Sequence, residues 1–157
     1  MTNFNSAAAN EFAARATGGV RFITQLDGSG NPTAGVQVAT GGNSWSALSD
    51  RDAKKGFRPV DGEQVLDKLA RMPVTCWQYR WQPDDAVPLI GPVAQDFVGA
   101  FYPGEDDKRI STQQADGVHF AAIKALEQRT RDLREENARL KTELADLKQA
   151  VEGMLNK

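Results

Sequence analysis

Cysteine and histidine are almost absent from this 157-residue chain, which holds only Cys76 and His119. One cysteine excludes an intramolecular disulfide, and one histidine leaves no Cys/His zinc cluster. A histidine-based triad would have to use His119. No run of 18 apolar residues occurs, so no membrane span is expected. The first residues, MTNFNSAAANEFAAR, lack the basic and apolar regions of a secretory signal. Excess positive charge is also missing. The balance of 19 basic and 21 acidic side chains gives −2, which argues against a whole-chain nucleic-acid footprint. No metal or organic cofactor is implied.

What is present is unevenly spread. Residues 1–48 carry four charged side chains, Glu11, Arg15, Arg21 and Asp27, and seven of the 14 glycines. Residues 119–157 carry 15 charged side chains and a single glycine, Gly153, while six of the seven prolines fall between Pro59 and Pro103. The simplest organisation is a glycine-rich β-type segment over 1–48, a small α+β domain over 49–118 and a helix over 119–157.

In the first segment, Val20–Thr24 and Ala34–Ala39 read as two short strands. The dense turn signal Asp27-Gly28-Ser29-Gly30-Asn31-Pro32 separates them. Two such strands have too few apolar side chains for a core of their own, so they need other copies or a longer chain to pack against. The alternative is a loosely ordered linker. In the middle segment, Val65, Leu66 and Leu69 are spaced for a short helix over Gly62–Ala70, bracketed by Pro59 and Pro73. From Val74 to Trp81 the period becomes two. Trp77, Tyr79 and Trp81 share one face, expected to be an inner, core-facing one. Leu89–Val98 reads as a strand end leading into a helix.

The last segment places Ile123, Leu126, Leu133, Leu140, Leu144, Leu147, Val151 and Met154 at steps of three, four or seven. With Ile123 at heptad position a, Thr130, Asn137, Leu144 and Val151 are also a, and Leu126, Leu133, Leu140, Leu147 and Met154 are d. More than four heptads without proline predict a parallel coiled coil. Glu136 can reach Lys141 of a neighbour and Glu143 can reach Lys148, whereas Arg129 and Arg134 would repel. Asn137 at a often accompanies two strands, and trimers also tolerate polar a residues, so dimer and trimer both stay open here. The alternative is an amphipathic helix folded onto its own domain. The arginines of this stretch are interleaved with acids and lie beside the seam, unlike the basic region of a DNA-binding zipper.

Between the first two segments stands Trp45-Ser46-Ala47-Leu48-Ser49-Asp50-Arg51-Asp52-Ala53-Lys54-Lys55. Ser49 and Lys54 are the one serine–lysine pair separated by five. A serine hydroxyl needs a base, and a desolvated lysine amine can be that base. On one ideal helix, however, a five-residue step turns about 140° and rises about 7.5 Å. The pair would face apart, so a dyad requires a turn between them or contributions from two chains. The competing reading is a capping box, with Ser49 capping a short helix and Asp52 answering it.

The order SDRDAKKGF, a short helix, RMPVTCWQYRW, IGPVAQDF and ADGVHFAAIKALEQ running into heptads resembles a known family. It is similar to the C-terminal intramolecular chaperone domain, peptidase S74, of phage tail spikes, endosialidases and tail-fibre proteins. The resemblance covers about residues 46–150. It implies a homotrimer that helps an upstream β-fibre segment of the same chain to fold and then cuts itself off before the motif serine. On that implication Leu48–Ser49 is the cleavage site, Ser49 the nucleophile and Lys54 its general base. The implied location is a phage virion tail fibre or a bacterial prophage or surface fibre, with no nucleic-acid or membrane partner. Pro88-Leu89-Ile90 departs from the basic or histidine residue that relatives commonly carry before the glycine block. A permanent trimerisation cap that never cuts is the alternative function, and a generic coiled-coil adaptor a third.

Overall fold

A computed structural model describes residues 4–155. Its elements are β1 (Val20–Leu26), β2 (Pro32–Val38), β3 (Ser46–Ala47), α1 (Gly62–Arg71), β4 (Thr75–Trp77), β5 (Leu89–Gly91), α2 (Ala94–Phe101) and α3 (Thr112–Leu155). The chain is mixed α and β with a long C-terminal helix, as the sequence pattern implies. It divides into two compact units, the first ending at Arg58 and the second starting at Pro59. Among the described residues no helix is long and apolar enough to cross a membrane.

The N-terminal unit is a three-stranded antiparallel sheet with β2 in the middle. The hairpin is there because its turn is built for it. The Asp27 carboxylate accepts the Ser29 and Asn31 amides, both at 2.8 Å, and Gly30 supplies a φ of +83°. The Asn31 side chain and amide hold the Asp27 carboxyl below the usual carboxylate range. The ordered sheet removes the linker alternative. β3 was not legible, because two residues carry no period. It docks through register pairs Val36 with Ala47 and Gln37 with Ser46, and through the Trp45 ring lying 5.5 Å from Phe22. No residue among the described part of this unit is buried. A sheet of this kind has no core to hold it.

The C-terminal unit does have a core, a small one. Val65 of α1, Phe97 of α2, and Val118 and Ala122 of α3 are buried together, with Leu66, Leu69, Met72, Phe101, Tyr102 and Ile110 packed around them. α1 begins where the Asp61 carboxylate accepts the Gln64 amide at 3.1 Å, and it ends at Met72 just before Pro73. Its first residue must be small. A Cβ on Gly62 would stand 2.7 Å from that of Ala125, so α1 and α3 meet there almost backbone to backbone. The Phe97 ring lies tilted 5.4 Å from Phe101 and stacks 5.9 Å from Tyr102, whose hydroxyl donates to the Gln114 carbonyl at 3.3 Å.

One expectation fails. The strand does not run from Val74 to Trp81, and its aromatic face is not core. β4 stops at Trp77 because its partner β5 is three residues long, hemmed in by Pro88 and Pro92, neither of which has an N–H to extend a ladder. Beyond Trp77 the chain turns. The Gln82 amide donates to the Tyr79 carbonyl at 2.9 Å, and the Gln82 side chain accepts the Tyr79 amide at 2.7 Å. Tyr79 and Trp81 are 51% and 78% exposed and stack on each other.

With so few buried side chains, each matters. Phe97→Ala is expected to destabilise the C-terminal unit by about 3–5 kcal/mol. Denaturant unfolding followed by helix signal checks this, and a loss below about 1 kcal/mol would contradict the core assignment.

Candidate functional site

The serine–lysine pair meets the geometric condition that the sequence left open. Residues 49–58 form no helix, so Ser49 caps none and the capping-box alternative is overturned. A tight turn takes its place. The Asp50 carboxylate accepts the Asp52 amide at 3.0 Å, and the Lys54 amide donates to the Arg51 carbonyl at 3.0 Å. This reversal brings Lys54 Nζ to 2.5 Å from Ser49 Oγ. Just beyond, the Arg51 guanidinium lies over the Phe57 ring, 4.6 Å from its centre, and Gly56 takes a φ of +71°.

The Leu48–Ser49 bond lies where the sheet meets this turn. Leu48 follows β3 directly, and its amide donates to the Gly35 carbonyl of β2 at 2.9 Å. Leu48 is partly buried, while Ser49 and Lys54 are both exposed. As drawn, the ammonium donates to the hydroxyl oxygen. With the amine neutral, the same contact would let the hydroxyl donate to nitrogen, which is the arrangement a base needs.

The second feature is α3. It is 44 residues long, about 66 Å. It carries two separate apolar faces in its first half. Val118, Ala122 and Ala125 are buried against the helix's own domain. The a/d stripe is a different face. Ile123, Leu126, Leu133, Leu140, Leu144, Leu147, Val151 and Met154 are 45% (Val151) to 74% (Met154) exposed. The helix carries both a face packed on its own domain and an exposed a/d stripe. Along the stripe Thr130 Oγ1 donates to the Leu126 carbonyl and Asn137 Nδ2 to the Leu133 carbonyl, each at 2.7 Å, so neither polar group is stranded. Glu136 and Glu143 pair within the helix to Arg139.

Arg129 is not left to repel Arg134. It makes a two-armed ion pair with Glu63 at the start of α1, its Nε 2.9 and 3.0 Å from the two carboxylate oxygens. The bond from Arg129 holds the Glu63 carboxyl below its ordinary range, and Glu63 in turn raises the Arg129 guanidinium. The pair ties α1 to α3 where the stripe begins. Sequence reasoning missed it, since a partner 66 positions away leaves no local signal.

Residues 49–105 match a protein-family model, Peptidase_S74, described as chaperone of endosialidase. The match opens on Ser49 and takes in Lys54, α1, the β4–β5 pair and α2. The resemblance carried by SDRDAKKGF and the blocks after it is thereby shown for this stretch, which is similar to the chaperone domain of that family. The hairpin before it and the whole of α3 lie outside the match. No curated protein and no solved structure matches the chain.

Glu63→Gln is expected to lower the melting temperature at neutral pH. A depressed carboxylate pKa stabilises above the unfolded value, and that stabilisation is lost as pH falls through the folded value. Wild type and variant should therefore converge in acid, and the gap should narrow in added salt because the pair is exposed. Melting curves across the acid range check the sign. A gap that widens on acidification would contradict it.

Proposed function

We propose that the chain is an intramolecular chaperone that assembles through α3 as a parallel homotrimer, folds an upstream β-fibre segment of the same chain, and then releases it at Leu48–Ser49. The setting would be a tail fibre or a comparable surface fibre. The observation that carries this reading is the contact of Lys54 Nζ with Ser49 Oγ at 2.5 Å, at the first residue of the chaperone-family match. The uncovered a/d stripe supports the assembly, as does an N-terminal sheet without a core.

The chemistry balances without a cofactor. Neutral Lys54 takes the Ser49 hydroxyl proton as Oγ attacks the Leu48 carbonyl carbon, forming a C–O bond. Collapse breaks the Leu48–Ser49 C–N bond, and the proton passes to the departing Ser49 nitrogen. Water then hydrolyses the Leu48 ester, returning the Ser49 hydroxyl and leaving a Leu48 carboxylate and a Ser49 amine. Desolvation is what makes a lysine amine available at neutral pH. Because Ser49 and Lys54 face solvent in the single chain, that desolvation has to come from assembly. Cleavage would then wait for it.

The same exposure favours a second reading, a permanent trimerisation cap in which the contact is only a surface hydrogen bond. Intact mass separates the two. The wild type should yield a fragment beginning at Ser49, and Ser49→Ala, Lys54→Ala and Lys54→Arg should stay whole, since a guanidinium cannot give up its proton. Full-length mass in all four, from a protein whose molar mass in solution is three times that of the chain, would establish the cap. A molar mass of two chains would overturn the trimer in favour of a dimer.

Assembly should depend on the stripe. Leu140→Asp puts a charge into the seam at each equivalent position. It is expected to reduce the solution molar mass to that of one chain and to abolish cleavage with it. A monomer that still cleaves at the wild-type rate would contradict the dependence on assembly.

A further inference from the structure

The Leu48–Ser49 bond is approached from two sides, and the proposal above uses only one of them. On the other side Ser46, Ala47 and Leu48 are laid along β2 as a short added strand. Proteins commonly grip an extended peptide by adding it to a sheet edge. Here the gripping edge belongs to the segment that would be released. The last rung is the Leu48 amide on the Gly35 carbonyl at 2.9 Å, one peptide unit before the bond to be cut.

Gly35 is unusual in its own right. Its φ is +150°, which L side chains rarely adopt, and a Cβ there would stand 2.4 Å from the Phe22 carbonyl oxygen and 3.0 Å from Ile23 Cα. β1 therefore fits against β2 at this rung only because position 35 has no side chain. Gly35, Ile23 and Val36 also line a small cavity beside Leu48. Gly28, in the turn of the same hairpin, meets nothing within 4 Å.

Building on the self-cleavage reading, we infer that the β1–β2 hairpin is the positioning element for that cleavage, with Gly35 as the positioning residue that pins Leu48 in register with Ser49. The hairpin presents its own exit strand to the Ser49–Lys54 turn. A chain whose hairpin is unformed holds Ser49 and Lys54 as before but leaves the Leu48 carbonyl unplaced. After cleavage Leu48 can remain on β2, so the new C-terminus covers the edge that would otherwise be open.

The test follows fragment release over time in full-length wild type, Gly35→Ala, Gly35→Val and Gly28→Ala, with solution molar mass checked for each. A parallel set carrying Ser49→Ala reports amide exchange at Leu48 in the uncut chain. Gly35→Val is expected to lose Leu48 protection and to release the fragment about a hundredfold more slowly, the scale of a misplaced reacting group. Gly28→Ala should match wild type. The dependence of rate on pH should keep its midpoint in the slowed variants, because the lysine is untouched. The inference is overturned if the rate does not follow Leu48 protection across the series, or if the midpoint moves with the rate. An uncut wild type would overturn the self-cleavage reading itself, and is recognisable before any variant is compared.

Discussion

The apolar stripe along α3 faces water in the single chain, and most of the molecule's economy follows from that. Eight side chains from Ile123 to Met154 are each about half exposed. Complete burial of such a side chain is worth roughly 1.5–3 kcal/mol, so covering the exposed halves amounts to something on the order of 10 kcal/mol per chain. Association costs about 4–15 kcal/mol. In the proposed assembly two or three chains contributing together would exceed that cost. The internal face of α3, built on Val118, Ala122 and Ala125, is already occupied by its own domain. Domain packing thus uses one face of α3 and leaves the stripe on another, and Glu63–Arg129 links α1 to the same helix.

What could be read from the sequence depended on whether a local pattern carried the information. α1 has apolar residues at helical spacing between two prolines and α3 a sustained heptad repeat, so both are legible, although α3 starts at Thr112, ahead of the segment assigned to it. The hairpin followed from its turn chemistry. β3 had no pattern to read, and its existence depends on β2 offering an edge. The aromatic alternation of Trp77, Tyr79 and Trp81 is real, but strand length is a property of two strands. Two prolines around β5 cut the partner short, a limit that no window centred on β4 can contain. Ser49 and Lys54 were legible as a spacing and through the family order. Whether they met was a question about the turn at Asp50–Lys54, and the capping-box reading lost to an Asx-type turn that uses the same residue types.

The contrast between the two units gives the chaperone reading its physical content. The C-terminal unit has a core around Phe97 and can hold its shape. The N-terminal sheet has none among its described residues, and its strands must find apolar neighbours elsewhere. Bringing several copies of such a sheet to one place is the entropic obstacle. In the proposed scheme a stripe that joins the chains would turn that search into a local one, raising effective concentration to the millimolar range without adding any contact to the sheet itself. On the proposed reading the clamp would act on the route to the folded fibre, and the fibre's own contacts would decide whether it is stable afterwards.

Cutting the clamp changes which quantity matters. In the proposed scheme, unfolding of the β segment would be reversible while α3 is attached, because the chains would stay together and could try again. Once Leu48–Ser49 is broken, a separated chain has lost its means of return, and persistence becomes a matter of unfolding rate instead of equilibrium. A device that irreversibly removes its own template is damaging if it fires early. Two conditions guard against that in the proposed scheme, and they sit on opposite sides of one bond. Lys54 must lose its water, which depends on neighbouring chains, and Leu48 must be seated on Gly35, which depends on the hairpin. Each condition reports on a different stage, assembly in one case and client folding in the other. Requiring both at a single peptide bond makes release the last event of the sequence without any additional regulator.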